Sequence, residues 1–145
     1  MFNPSRDQAR RFFIDAWHKQ QQGLPMSQME FMAADIVRLH PEYQDLFGDA
    51  KADIGEVLAR EWTPEQGETN PFLHLSLHLA IEEQLSIDQP PGIRDIFNRL
   101  LARHGERHAA LHDVLDCLAE TVWRSQRDRA APDGAAYLEC MRRKI

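Results

Sequence analysis

Four histidines recur at one spacing. His74 and His78 stand four residues apart, and so do His108 and His112. On a helix, residues four apart rise about 6 Å and share a face. Two imidazoles held that way can both reach one ion at the Zn–N distance of about 2.0–2.1 Å. Carboxylates continue each register: Glu82 after the first pair, Asp116 and then Glu120 after the second. Two facing pairs supply four nitrogens, and helical bundles build metal sites in this manner from inward side chains. The predicted ligand set is therefore His74, His78, Glu82, His108, His112 and Asp116. Imidazole combined with carboxylate suits Zn or Fe. Neither pair reads H-E-x-x-H, so zinc-protease mechanics do not apply. No Gly-rich phosphate loop and no serine in a nucleophile elbow occur, and no catalytic residue is assigned.

A second reading competes with the metal. A buried histidine is often satisfied by a backbone carbonyl or a carboxylate, and is then structural. On that reading the chain is an interaction or scaffold protein that meets a copy of itself or another protein through apolar surface. His40 precedes Pro41 and is predicted to contact the last carbonyls of a helix. His18 is placed at the surface, and Trp17, Trp62 and Trp123 in packing between helices.

Everything depends on the period of the stretch TNPFLHLSLHLAIEEQ, residues 69–84. Read by twos, leucines alternate with polar residues, as in a strand. In a strand His74 and His78 would lie about 13 Å apart and could not share an ion. Three features favour a helix. Asn70 before Pro71 is a helix start signal. From Phe72 to Gln84 only Ile81 is β-branched. No partner strand is evident elsewhere, and an isolated strand would leave unpaired edges. The helix is apolar on most sides, as a central helix must be.

The rest of the chain also reads as helix. Asn3 and Pro4 open a first segment that Gly23 closes, and Ser27 with Glu30 forms a capping-box pattern before a second. Pro41 ends that helix, leaving PEYQDLF as a separate short turn. Residues 48–61 are moderately helical, and 62–70 form a loop. After the break DQPPG, a short helix closes at Gly105. Leu111, Leu115, Leu118 and Val122 then mark the best helix, over 106–127, and a short basic-ended helix finishes the chain. The expected fold is all-α, a single compact bundle of five to seven helices over 1–145, with 70–85 and 106–127 as central partners. Leu77 and Leu115 are expected where their faces meet.

The totals narrow the classes. A chain of 145 residues can bury a sizeable core without staples. The formal net charge of −6 argues against nucleic acid as a partner, and the basic clusters Arg10–Arg11 and Arg142–Lys144 read as solvated helix ends. No apolar run is long enough for a membrane span. The polar, amphipathic start lacks a secretory core, which points to the cytoplasm. Cys117 and Cys140 fit no zinc spacing and are expected to be reduced there.

MFNPSRDQARRFF, TNPFLHLSLHLAIEEQLSIDQPPGIR and PDGAAYLECMRR together resemble a small family of bacterial proteins, the domain-of-unknown-function family 1841. The resemblance covers nearly the whole chain and implies a single-domain bacterial protein. It implies no activity, substrate or ligand, so the metal expectation rests on spacing alone. A looser likeness to hemerythrin-type and ferritin-type bundles concerns only the histidine and carboxylate spacing. The E-x-x-H pairs of ferritin-type sites are absent, since neither Glu82 nor Glu120 has a histidine three residues on.

Overall fold

The computed structural model describes residues 6–47 and 70–145, and the protein is all-α. Among the described residues there are six α-helices, one 3-10 helix and no strand. The predicted cap at Asn3 and Pro4, the helix over 48–61, most of the loop over 62–70 and Trp62 lie outside the described residues. The chain divides into two compact units, Met1–Leu79 and Ala80–Ile145.

In the first unit, α1 (Arg6–Gln22) ends where Gly23 turns to φ +68°, left-handed geometry that costs glycine little. Ser27 caps α2 (Gln28–Arg38) with the predicted box. The Glu30 amide donates to Ser27 Oγ at 3.1 Å, and the Ser27 amide donates to Glu30 Oε1 at 2.9 Å. Lys19 of α1 reaches the same carboxylate at 2.5 Å and, ahead of the Ser27 bonds, holds it below the usual carboxylate range. Ser27→Ala is expected to lower stability by about 0.5–2 kcal/mol, the usual worth of such a cap. Urea unfolding reads this directly, and an unchanged midpoint would show that the cap is not held in solution.

Proline cannot continue an α-helix, and a 3-10 helix (Pro41–Leu46) follows α2 as expected. The stretch with the ambiguous period is helix α3 (Pro71–Ile87). Asn70 Oδ1 accepts the amides of Phe72 and Leu73 at 3.0 and 3.3 Å, and Pro71 takes the first position, where no N–H is needed. Burial along α3 follows Phe72, Leu75 and Leu79, steps of three and four. These side chains join Phe13, Ile14, Ala33, Val37 and Phe47 in one core. Leu77 lies off that stripe and is only half-buried, so it does not hold the central place expected of it; Leu75 does. Arg10, expected to be solvated, is 2 % exposed, with its guanidinium 5.2 Å from the Phe72 ring centre. The ring face is one favourable electrostatic contact for the cation there. Trp17 packs on Phe47, with ring centres 6.4 Å apart. His18, expected at the surface, is half-buried, and its Nε2 donates to the Phe47 carbonyl at 2.7 Å.

The second unit takes the end of α3 with α4 (Ile93–His104), α5 (Arg107–Asp128) and α6 (Gly134–Arg142). The Arg94 guanidinium donates to the Leu85 and Ser86 carbonyls at 2.6 and 2.5 Å, satisfying groups that the end of α3 would leave orphaned. Gly105, at φ +70°, closes α4 as predicted. The carboxylate of Glu106 caps α5 by accepting the amides of His108 and Ala109 at 3.0 and 2.7 Å. Helices α4, α5 and α6 pack pairwise, burying Ile96, Phe97, Leu100, Leu111, Leu115, Leu118 and Met141. Tyr137 donates its hydroxyl to Gln84 at 2.7 Å, and burial pushes its phenol well above the ordinary value. Trp123 departs from expectation: it is 58 % exposed, with Arg127 4.8 Å over its ring.

The cysteines also depart from expectation. Cys117 on α5 and Cys140 on α6 form a disulfide, with Cα atoms 5.8 Å apart. Their spacing matched no motif because the pairing is made by two packed helices, not by a local loop. No described helix is long and apolar enough to cross a membrane.

Candidate metal centre

The helical form of α3 puts His74 and His78 one turn apart on one side. Their Nε2 atoms are 3.2 Å apart and their ring centres 4.8 Å. A third imidazole joins them from the end of α2. His40 follows the last residues of that helix, and its Nδ1 lies 2.7 Å from the Ile36 carbonyl. This is the expected contact with a terminal carbonyl. It has a chemical consequence, because a carbonyl can only accept. Nδ1 therefore carries the proton, and in the neutral ring Nε2 carries the lone pair. That Nε2 stands 3.2 Å from His74 Nε2. His40 and His78 also offer nitrogens within 4.8 Å of each other.

Three ring nitrogens thus converge on a small volume. His40 is 1 % exposed and His78 2 %, while His74 is half-buried. Tyr43 stacks on His40 with ring centres 5.5 Å apart and meets His74 edge-on at 5.9 Å. Burial, and then Glu42, push the Tyr43 phenol above its ordinary value, so the wall it forms stays uncharged at neutral pH. The nitrogen of His74 lies equally close to two others. A single ring nitrogen holds one proton or one lone pair, so it cannot make a well-formed hydrogen bond to both. One cation can accept three lone pairs together. Two imidazoles on a tetrahedral ion with bonds of about 2.0–2.1 Å have nitrogens about 3.3 Å apart. The separations of 3.2 Å match that edge.

The second unit carries the other pair. His108 and His112 lie in the first turns of α5, half-buried, with ring centres 4.2 Å apart and donor nitrogens within 4.8 Å. The Glu106 cap fixes the helix end that bears them, and its carboxyl is held below the usual range by the Ala109 and His108 amides. The two predicted carboxylates have other partners. Glu82 receives both arms of the Arg107 guanidinium, at 2.8 and 3.0 Å. Asp116 is exposed on α5 with Lys144 at 4.0 Å.

Spacing found His74 with His78 and His108 with His112. It assigned His40 only to a helix end, since it stands 34 residues from His74 and no local pattern links them. The one signal was its place before Pro41, which fixes where α2 stops and so where the ring is held.

Fold and site define the class: an all-α protein with a buried imidazole cluster at a helix end. The chain belongs to the family described as domain of unknown function 1841, whose model matches residues 5–143. No curated protein and no solved structure matches it.

Proposed function

We propose that the protein binds a transition-metal ion, zinc or iron, through imidazoles, with His40, His74 and His78 at the centre. The observation carrying this reading is the contact of His40 Nδ1 with the Ile36 carbonyl. The ring's Nδ1–H is held by that carbonyl at 2.7 Å, so its Nε2 lone pair faces the other two rings. Metal-ligating histidines are oriented from behind in this way, by an acceptor on the other ring nitrogen. His108 and His112, in the second unit, form a separate imidazole pair that would supply two nitrogens to an ion. Three imidazoles leave a coordination position for water, as in catalytic zinc sites; a fourth closes the shell, as in structural ones. Glu82 would enter only by leaving Arg107, and Asp116 only by leaving solvent.

Metal analysis of protein purified without chelators, followed by zinc titration and X-ray absorption, tests this reading. The expected result is a single ion per chain in a nitrogen-rich shell at about 2.0–2.1 Å. Affinity should fall in acid, where protons compete for the lone pairs. Zinc that dialyses away, with no saturable titration, would leave the histidines structural.

A second reading is a scaffold that binds a copy of itself or another protein. It is favoured by large apolar side chains in solvent, Phe31 at 57 % and Trp123 at 58 % exposure. Sedimentation across a range of concentrations tests it: self-association supports the reading, and a clean monomer at high concentration counts against a homodimer.

A further inference from the structure

The disulfide of the second unit opens onto a cleft. Cys117 is fully buried on α5, while Cys140 on α6 is half-buried and lines a cleft of about 570 Å³. That volume falls within the usual range for small-molecule sites, about 300–1,000 Å³. The two sulfurs therefore differ in access: a reagent in the cleft meets Cys140. Charges of both signs surround it, Arg124 with Glu120 at 2.7 Å and Arg143 with Glu139 at 3.6 Å. Such exposed pairs are individually weak, so either guanidinium can exchange its carboxylate for one on a ligand at little cost. The carboxylates can in turn receive an ammonium group.

We propose that Cys117–Cys140 is an exchangeable disulfide whose Cys140 sulfur accepts a small zwitterionic thiol peptide from this cleft. The thiolate of the peptide attacks Cys140 Sγ, and a new S–S bond forms there. The Cys117–Cys140 bond breaks, and its electron pair leaves on Cys117 Sγ, which takes up a proton. A second thiol of the same class then attacks the peptide sulfur, releasing the oxidised peptide and leaving Cys140 as a thiol. Two thiols are oxidised and one protein disulfide is reduced. Burial confines the mixed disulfide to Cys140 and keeps Cys117 beside it as the group that re-forms the bond.

The test uses the full chain, purified in air, with reduced glutathione as the zwitterionic probe and 2-mercaptoethanol as the uncharged one. Intact mass and peptide mapping follow the adducts. The expected adduct is a single glutathione on Cys140. Its rate, corrected for thiolate fraction, should exceed that of 2-mercaptoethanol by about fivefold, the upper scale of one exposed charge contact. The double variant Arg124→Ala, Arg143→Ala should bring the ratio to about one, the limit with no charge recognition. Where adducts turn over too fast to see, oxidised glutathione should label Cys140 in Cys117→Ser and spare Cys117 in folded Cys140→Ser. Two free thiols in the air-purified protein, labelling of Cys117, or equal rates for the two probes would each overturn the proposal.

Discussion

His40→Ala and His78→Ala should each weaken zinc binding by roughly 100-fold or more. Changing a group that merely orients a ligand costs about 10–100-fold in affinity, and loss of the ligand itself costs at least as much. His40 is the sharper test, because no histidine spacing points to it and only its 3.2 Å approach to His74 places it in the cluster. His18→Ala is the control: that ring sits in the same unit but donates to the Phe47 carbonyl, so affinity should not change. His108→Ala asks whether one ion is shared by both pairs. A drop comparable to that of His40→Ala means that it is; no drop confines the ion to His40, His74 and His78. Circular dichroism must show each variant still helical. Folded His40→Ala with parental affinity would refute a site centred on these three rings.

Leu75→Ala should lower stability by about 2–5 kcal/mol, whereas Leu73→Ala on the same helix should stay within about 0.5 kcal/mol. Leu75 is fully buried in the core with Phe13 and Val37, and truncation leaves a cavity there. Leu73 is 57 % exposed and leaves none. The contrast reads the period directly. In a strand, residues two apart lie on one face and the two truncations would cost alike. On a helix they are turned about 200° apart, and only one meets the core. Denaturant midpoints that fall equally for both variants would remove the helix and, with it, the approach of His74 to His78.

Much of this architecture is legible locally. Ser27 with Glu30, Asn70 with Pro71, Pro41 and Gly105 each set an end of a helix through bonds to their immediate neighbours. Such chemistry is written in a few consecutive residues. The helical period of 70–85, and so the pairing of His74 with His78 and of His108 with His112, follows from the same local rules. Features requiring two distant segments were beyond those rules. Leu73, Leu75 and Leu77 are chemically identical, and only the position of α1 and α2 decides that Leu75 is the one enclosed. Arg10 looked like a solvated charge until the Phe72 ring lay under it. Cys117 and Cys140 had no motif, because packing of α5 against α6 is what brings their Cα atoms to 5.8 Å. His40 shows the division within one side chain. Its bond to Ile36 is local, four residues back, and was expected from Pro41; its meeting with His74 spans 34 residues. Over the described residues, the sequence by itself determined which segments are helical, where the helices stop and which histidines share a turn. The tertiary structure alone decided which third imidazole joins the first pair, since that depends on how α2 and α3 pack and not on any spacing along the chain.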